Sequence, residues 1–300
     1  MRVVFFGTPD AAVPALRALV AAGHEVAFVV TQPDRRRGRG AELSPSPVKV
    51  AALELDVPVL TPDRAREVVD AVAGSGAEVG VVVAFGQLLP PALLEAVPHG
   101  FVNVHFSLLP RWRGAAPVER ALLAGDARTG VCIMALEAGL DTGPVYARGV
   151  VPIGAHDTAG ELEAKLVARG TELLVATLPA VPGTRPDPQE GEPTYADKLT
   201  VEEFELDWDR PAAELARQIR AGNPRPGAWT TDHGSRVKVW RAKPLSVPAD
   251  EPPGTLFART RVATGDGALE LVEVQPEGKR AMPADAWVAG RRGATTALGT

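Results

Sequence analysis

The residues best suited to chemistry in this chain fall at two places. In Val102-Asn103-Val104-His105-Phe106 the alternation predicts a strand. The two valines and Phe106 share one face, while Asn103 and His105 share the other, about 7 Å apart along the chain. One strand end thus presents an amide and an imidazole together. In Gly139-Leu140-Asp141-Thr142-Gly143 a carboxylate stands between two glycines, on a loop after an apolar run that ends near Met134 and within reach of His105. Asn, His and Asp with no neighbouring Ser or Cys nucleophile suit direct transfer of an acyl group to an amine. The amide donates to the developing oxyanion, the imidazole handles protons, and the carboxylate orients and charges the imidazole. A bland reading stays open from spacing alone: Asn or His at a strand end is commonly a satisfied loop residue, and Asp between glycines is ordinary turn chemistry.

The elements that must position these groups are legible in the apolar pattern. Arg2–Gly7 reads as a strand feeding a helix through Thr8-Pro9-Asp10, with Thr8 as N-cap, Pro9 at the first helical position and the helix running over 11–22. Val26–Thr31 completes a β-α-β unit. Apolar runs recur at 57–60, 79–84, 101–106, 130–134 and 145–151, with helical segments near 48–55, 63–73, 91–97 and 117–124 between them. This alternation predicts an α/β domain with a doubly wound, mostly parallel sheet, and ligands in such sheets bind beyond the carboxyl ends of the strands. A long helix over 158–177 closes that domain.

Beyond it, residues 179–193 hold five prolines and three acids without apolar periodicity, which predicts an extended linker. A short amphipathic helix over 211–221 follows. Short β-like runs at 236–241, 254–258, 260–264 and 268–274 then predict a small antiparallel, OB-like barrel. The expected division is a catalytic domain over 1–180, a linker over 181–203 and a β domain over 204–300.

Composition narrows the classes. No apolar run reaches the roughly 18 residues of a membrane span, and the N-terminus lacks a signal-peptide pattern, so a cytoplasmic, soluble enzyme is expected. Cys132 is the single cysteine and lies in the apolar run 131–134, as a core residue would. The histidines at 24, 99, 105, 156 and 233 include no pair at helical ligand spacing, so no metal site is expected. Net charge is −5, but residues 204–300 carry 14 Lys/Arg against 12 Asp/Glu, which leaves the acidic excess to residues 1–203. Four arginines, Arg35, Arg36, Arg37 and Arg39, crowd a loop after the second strand. A local basic cluster can grip phosphates even in an acidic protein, although a solvated charge run has the same composition.

The run Asn103-Val104-His105, followed by Ser107-Leu108-Leu109-Pro110 and Arg111-Trp112-Arg113-Gly114-Ala115-Ala116-Pro117, resembles the signature of formyltransferases that use 10-formyltetrahydrofolate. Gly139–Gly143 resembles their aspartate loop. Gly7-Thr8-Pro9-Asp10, Gln32-Pro33-Asp34, Ser44–Lys49 and Thr194-Tyr195-Ala196 are similar to family members that act on charged initiator tRNA, so the resemblance covers nearly the whole chain. It implies that Asn103, His105 and Asp141 are the catalytic set and that Ser107, Leu108, Leu109 and Pro110 touch the folate. Phe85, Gly86 and Leu88 are implied to form the pterin-binding wall. The arginine loop becomes a contact to the tRNA acceptor end. The C-terminal domain becomes a second tRNA surface, with Arg236 and Lys238, then Arg241 and Lys243, as its cations. The implied reaction moves a formyl group from 10-formyltetrahydrofolate to the amino group of methionine on initiator tRNA, in a monomer without metal. A sugar-nucleotide N-formyltransferase with the same donor is the alternative, and the first turn lacks the Gly-x-Gly-x-x-Gly of a dinucleotide dehydrogenase. Two departures from the family pattern are Ala41-Glu42, where lysines usually continue the arginine loop, and Ala11, where an aromatic is common.

Overall fold

The structure, a computed structural model, describes residues 1–37, 42–247, 250–291 and 297–299. It divides into two compact units, one of Met1–Pro117, Arg128–Pro152 and Glu163–Ala196, the other of Val118–Ala127, Ile153–Leu162 and Asp197–Thr300.

The first unit is built on seven strands: β1 (Arg2–Gly7), β2 (Glu25–Val30), β3 (Val59–Leu60), β4 (Val79–Val83), β5 (Phe101–His105), β6 (Arg128–Ala135) and β7 (Val145–Pro152). They lie in the order β7-β6-β5-β4-β1-β2-β3. Pairings from β5 to β3 are parallel, and β6 pairs antiparallel with both β5 and β7. The mostly parallel sheet is therefore as expected. Its strands β1 and β4 read as nearly continuous apolar runs, the pattern of strands buried on both faces: Val3–Phe6 and all of β4 are buried. Phe6 packs edge-on between Phe85 and Phe101, with ring centroids 5.2 and 5.4 Å away. Gly80 makes room for Phe101, since a Cβ at that position would lie 2.1 Å from the ring.

Several local expectations change. The Thr8 hydroxyl does not cap the first helix; it donates to the Phe85 carbonyl at 3.1 Å, and a 3-10 turn, Asp10–Ala12, leads into helix Val13–Ala21. Ala11 lies within that turn. The expected arginine loop begins as a hairpin, Arg35–Arg37 pairing antiparallel with Glu42–Ser44. Ser46 then accepts from Lys49 N–H and caps helix Pro47–Glu54, with Pro47 at its first position. The helix expected over 91–97 ends at Leu94, and that over 63–73 divides into a 3-10 turn, Ala65–Val68, and Val69–Ala73.

The proline-rich stretch is extended in part and anchored at several points. Leu178–Gly183 forms a 3-10 helix, Asp187 exchanges both backbone hydrogen bonds with Val145, and Tyr195–Ala196 pairs with Arg113–Gly114. Prolines withdraw donors there; Asp187 N–H donates to the Val145 carbonyl on the edge strand β7, Thr194 N–H donates to the Pro110 carbonyl, and the Thr194 and Ala196 carbonyls accept from the amides of Arg113, Ala115 and Ala116. Of the expected linker over 181–203, residues to Ala196 therefore belong to the first unit.

The second unit holds an antiparallel sheet of β8 (Ala228–Asp232), β9 (Ser235–Leu245), β10 (Leu256–Phe257), β11 (Arg261–Ala263), β12 (Ala268–Pro276) and β13 (Met282–Pro283). Its order is β8-β9-β12-β11-β10, with β13 also on β12. Val237 and Val239 face inward opposite Pro276 and Val274, and the strand register shifts around Arg241. Helix Ala212–Ala221 is as expected, and helix Ala284–Gly290 is an addition. Thr158 and Glu161 form a reciprocal cap at the start of helix Ala159–Thr177. Among the described residues no helix is long and apolar enough to cross a membrane.

Candidate active site

Asn103, His105 and Asp141 converge on one cavity of about 510 Å³ in the first unit, at the carboxyl ends of β4 and β5. The His105 ring is almost fully buried, and its Nε2 lies 2.9 Å from the Trp112 carbonyl. A carbonyl only accepts, so Nε2 carries a hydrogen, and Nδ1 is the nitrogen left for proton exchange. Nδ1 faces the Asp141 carboxylate, with Oδ2 3.6 Å away. That oxygen also accepts the Gly114 N–H at 2.9 Å. The Asn103 side-chain amide has no hydrogen-bond partner among the described residues, so its donors remain for a substrate oxygen. The three groups therefore supply a donor, a proton carrier and a fixed negative charge around one space.

The Asp141 loop takes this shape for steric reasons. Asp141 itself has φ +50°, and a Cβ on Gly143 would lie 1.9 Å from the Ala135 carbonyl oxygen, so glycine alone fits. Gly114 has φ +123°, and its close approach to the Ala196 backbone likewise excludes a side chain.

The opposite wall is the segment after β4. Phe85, Gly86 and Leu88 line the cavity, with Leu88 80% exposed at its edge. The Phe85 carbonyl is held by Thr8 and Gln32, and the Gln87 side chain is tied to Ala65 and Asp63. Ser107, Leu108, Leu109 and Pro110 are not among the lining residues. The fully buried Ser107 hydroxyl donates to the Arg111 carbonyl at 2.5 Å. Leu108 lies against Gly130, and Leu109 packs with Cys132, Met134 and Val145. As the chain leaves β5, Ser107, Leu108 and Leu109 thus make contacts on the sheet side of the loop that carries Trp112 and Gly114. Gln189, which no sequence pattern marks, reaches the aspartate loop from the proline-rich segment: its Nε2 donates to the Asp141 and Gly143 carbonyls.

The expected tRNA cations are scattered. Arg35 is exposed on the hairpin and donates to Gln32; Arg36 and Arg37 continue that strand, whereas Arg39 and Ala41 lie outside the described residues. In the second unit, the Arg236 guanidinium sits 3.9 Å above the Trp229 ring, and Lys238 lies over Trp240 while donating to the Pro226 carbonyl. Trp229, Arg236 and Lys238 line one surface pocket with Thr231 and Gln275. Arg241 is drawn to Glu161 and Glu273 instead.

The chain belongs to the formyl transferase family. The family's formyl transferase model matches residues 1–178, and its C-terminal domain model matches residues 198–292. Among similar curated proteins, methionyl-tRNA formyltransferase of Paracoccus denitrificans is 50% identical over 287 residues, covering 95% of both chains. The enzyme of the same name from Ruegeria pomeroyi is 49% identical, covering 97% of each. Among solved structures, the sugar 3N-formyl transferase WlaRD, crystallised in the presence of dTDP and 5-N-formyl-THF, aligns with a TM-score of 0.68 over 93% of this chain and 99% of its own, at 18% identity. That likeness is one of fold.

Proposed function

We propose that this chain transfers the formyl group of 10-formyltetrahydrofolate to the α-amino group of methionine on initiator tRNA. The observation that carries the reading is the convergence of Asn103, His105 and Asp141 on a single cavity, in a chain similar over nearly its whole length to enzymes named for that reaction. The amine attacks the formyl carbon, and the resulting oxyanion is held by the Asn103 amide. His105 Nδ1 takes the proton shed by the amine, and the Asp141 carboxylate stabilises the imidazolium so formed. The proton then passes to the folate nitrogen as its bond to the formyl carbon breaks. No covalent enzyme intermediate and no metal enter this scheme.

Phe85, Gly86 and Leu88 form the folate-facing wall in this reading, with Ser107–Pro110 supporting the site from behind. Arg35–Arg37 with Arg39, and Arg236 with Lys238, supply separate phosphate-binding surfaces. The enzyme acts as a cytoplasmic monomer. Full-length identity near one half favours this acceptor over the amino sugar of a nucleotide. The deciding experiment offers the protein 10-formyltetrahydrofolate with either charged initiator tRNA or an amino-sugar nucleotide. Formyl-methionine appears in the first mixture, whereas formylation of the sugar alone overturns the reading.

A further inference from the structure

We propose that Gln189 is a positioning residue for the Asp141 carboxylate, an inference that rests on the reaction assigned above. The Gln189 side chain is fully engaged. Its Nε2 donates to the carbonyls of Asp141 and Gly143, each at 2.8 Å, and its Oε1 accepts from Arg113 Nε at 3.1 Å and Nη2 at 2.7 Å. Arg113 immediately precedes Gly114, whose N–H holds the Asp141 carboxylate. Gln189 therefore closes a ring: it grips the backbone of the aspartate loop on one side, and on the other it grips the segment that receives the loop's carboxylate.

The ring is needed because the loop is not self-supporting. A non-glycine residue at φ +50° sits in a sparsely populated region and persists only where its surroundings dictate it. The anchor is itself fixed, since Asp187 pairs with Val145 on one side and Tyr195–Ala196 with Arg113–Gly114 on the other. An amide of this length is what the position demands: two donors for two carbonyls, and one acceptor for a guanidinium fork. A glutamate would keep the Arg113 contact and turn an anionic oxygen on the two carbonyls. Gln189 is not among the residues lining the cavity, so its influence runs through Asp141.

Gln189→Glu and the nearly isosteric Gln189→Met are compared with wild type, alone and combined with Asp141→Asn. Each single variant is expected to lose about 10- to 100-fold in kcat, the scale of a small misplacement at a reacting centre, with KM for both substrates within about threefold. In the Asp141→Asn background the same change is expected to cost less than about twofold, since a residue acting through the carboxylate has nothing left to act on. Amide hydrogen exchange of the free protein gives a readout that needs no substrate: Gly114 and the loop 139–143 exchange faster in both variants. Wild-type kcat in the Glu variant, losses that multiply fully with Asp141→Asn, or unchanged exchange at Gly114 each overturn the proposal. Should wild type fail to formylate charged tRNA, the assigned reaction falls, and the exchange measurement still decides the clamp.

Discussion

Asp141→Asn is the sharpest perturbation of the site, because the two roles of the carboxylate separate on it. The Asp141 Oδ2 accepts the Gly114 N–H at 2.9 Å, a hydrogen bond the asparagine carbonyl oxygen can retain, so the loop should keep its shape. What disappears is the negative charge 3.6 Å from His105 Nδ1, where side chains are only 6% and 13% exposed. Opposite unit charges at that distance attract by about 5 kcal/mol at an effective dielectric near 20, and by about 1 kcal/mol with full water screening. The imidazolium exists only after the amine has given up its proton, so this attraction acts on the transition state more than on the bound substrates. A value between the two limits corresponds to a fall in kcat of about 10²-fold, with KM changed by less than about threefold. The assay is initial-rate formylation of charged initiator tRNA at saturating folate across pH 6 to 8, with thermal unfolding as the control for folding. A well-folded variant within about fivefold of wild-type kcat across that range would falsify the assigned role of the carboxylate.

Asn103→Ala is expected to lower kcat by about 10²–10³-fold with folding intact, as loss of one oxyanion donor does; near wild-type turnover would remove Asn103 from the mechanism. Arg236→Ala with Lys238→Ala should raise KM for tRNA and flatten the salt dependence of its binding by about 0.7–0.9 in log–log slope for each phosphate no longer neutralised. An unaltered slope would mark that surface as merely solvated. Burial raises the Cys132 thiol above its ordinary value, with the Leu109 backbone and Arg148 opposing; native protein should therefore resist thiol reagents at pH 8 and react once denatured, and rapid native labelling would contradict the buried placement. Hydrogen bonds from the Thr158 backbone and hydroxyl hold Glu161 below the usual carboxylate range. That stabilisation is complete above the ordinary Glu value and is lost as pH falls through the lowered folded value. Thr158→Ala should accordingly weaken the acid dependence of unfolding, and an identical pH profile in that variant would discount the cap.

What could be read in the sequence follows from how locally each feature is specified. Asn103 and His105 were legible because strand geometry alone puts residues two apart on one face, and the continuous apolar runs of β1 and β4 betrayed a sheet covered on both sides. Asp141 was legible as chemistry but not as conformation. Its backbone shape is set by the Ala135 carbonyl, which excludes a side chain at Gly143, and by carbonyl contacts to a glutamine 48 residues further on. Ser107–Pro110 show the opposite case, a motif whose identity was plain and whose direction was hidden. The packing of Leu109 against Cys132, Met134 and Val145 depends on where the chain turns after β5, which no local periodicity encodes. Gln189 was hidden for both reasons: no pattern surrounds it, and its partners Arg113, Asp141 and Gly143 lie 46 to 76 residues away. The chemistry of this site is thus written in short motifs, while its rigidity comes from ring closures between distant segments. Substitutions in the proline-rich stretch around Gln189 should for that reason alter turnover more than they alter the sheet.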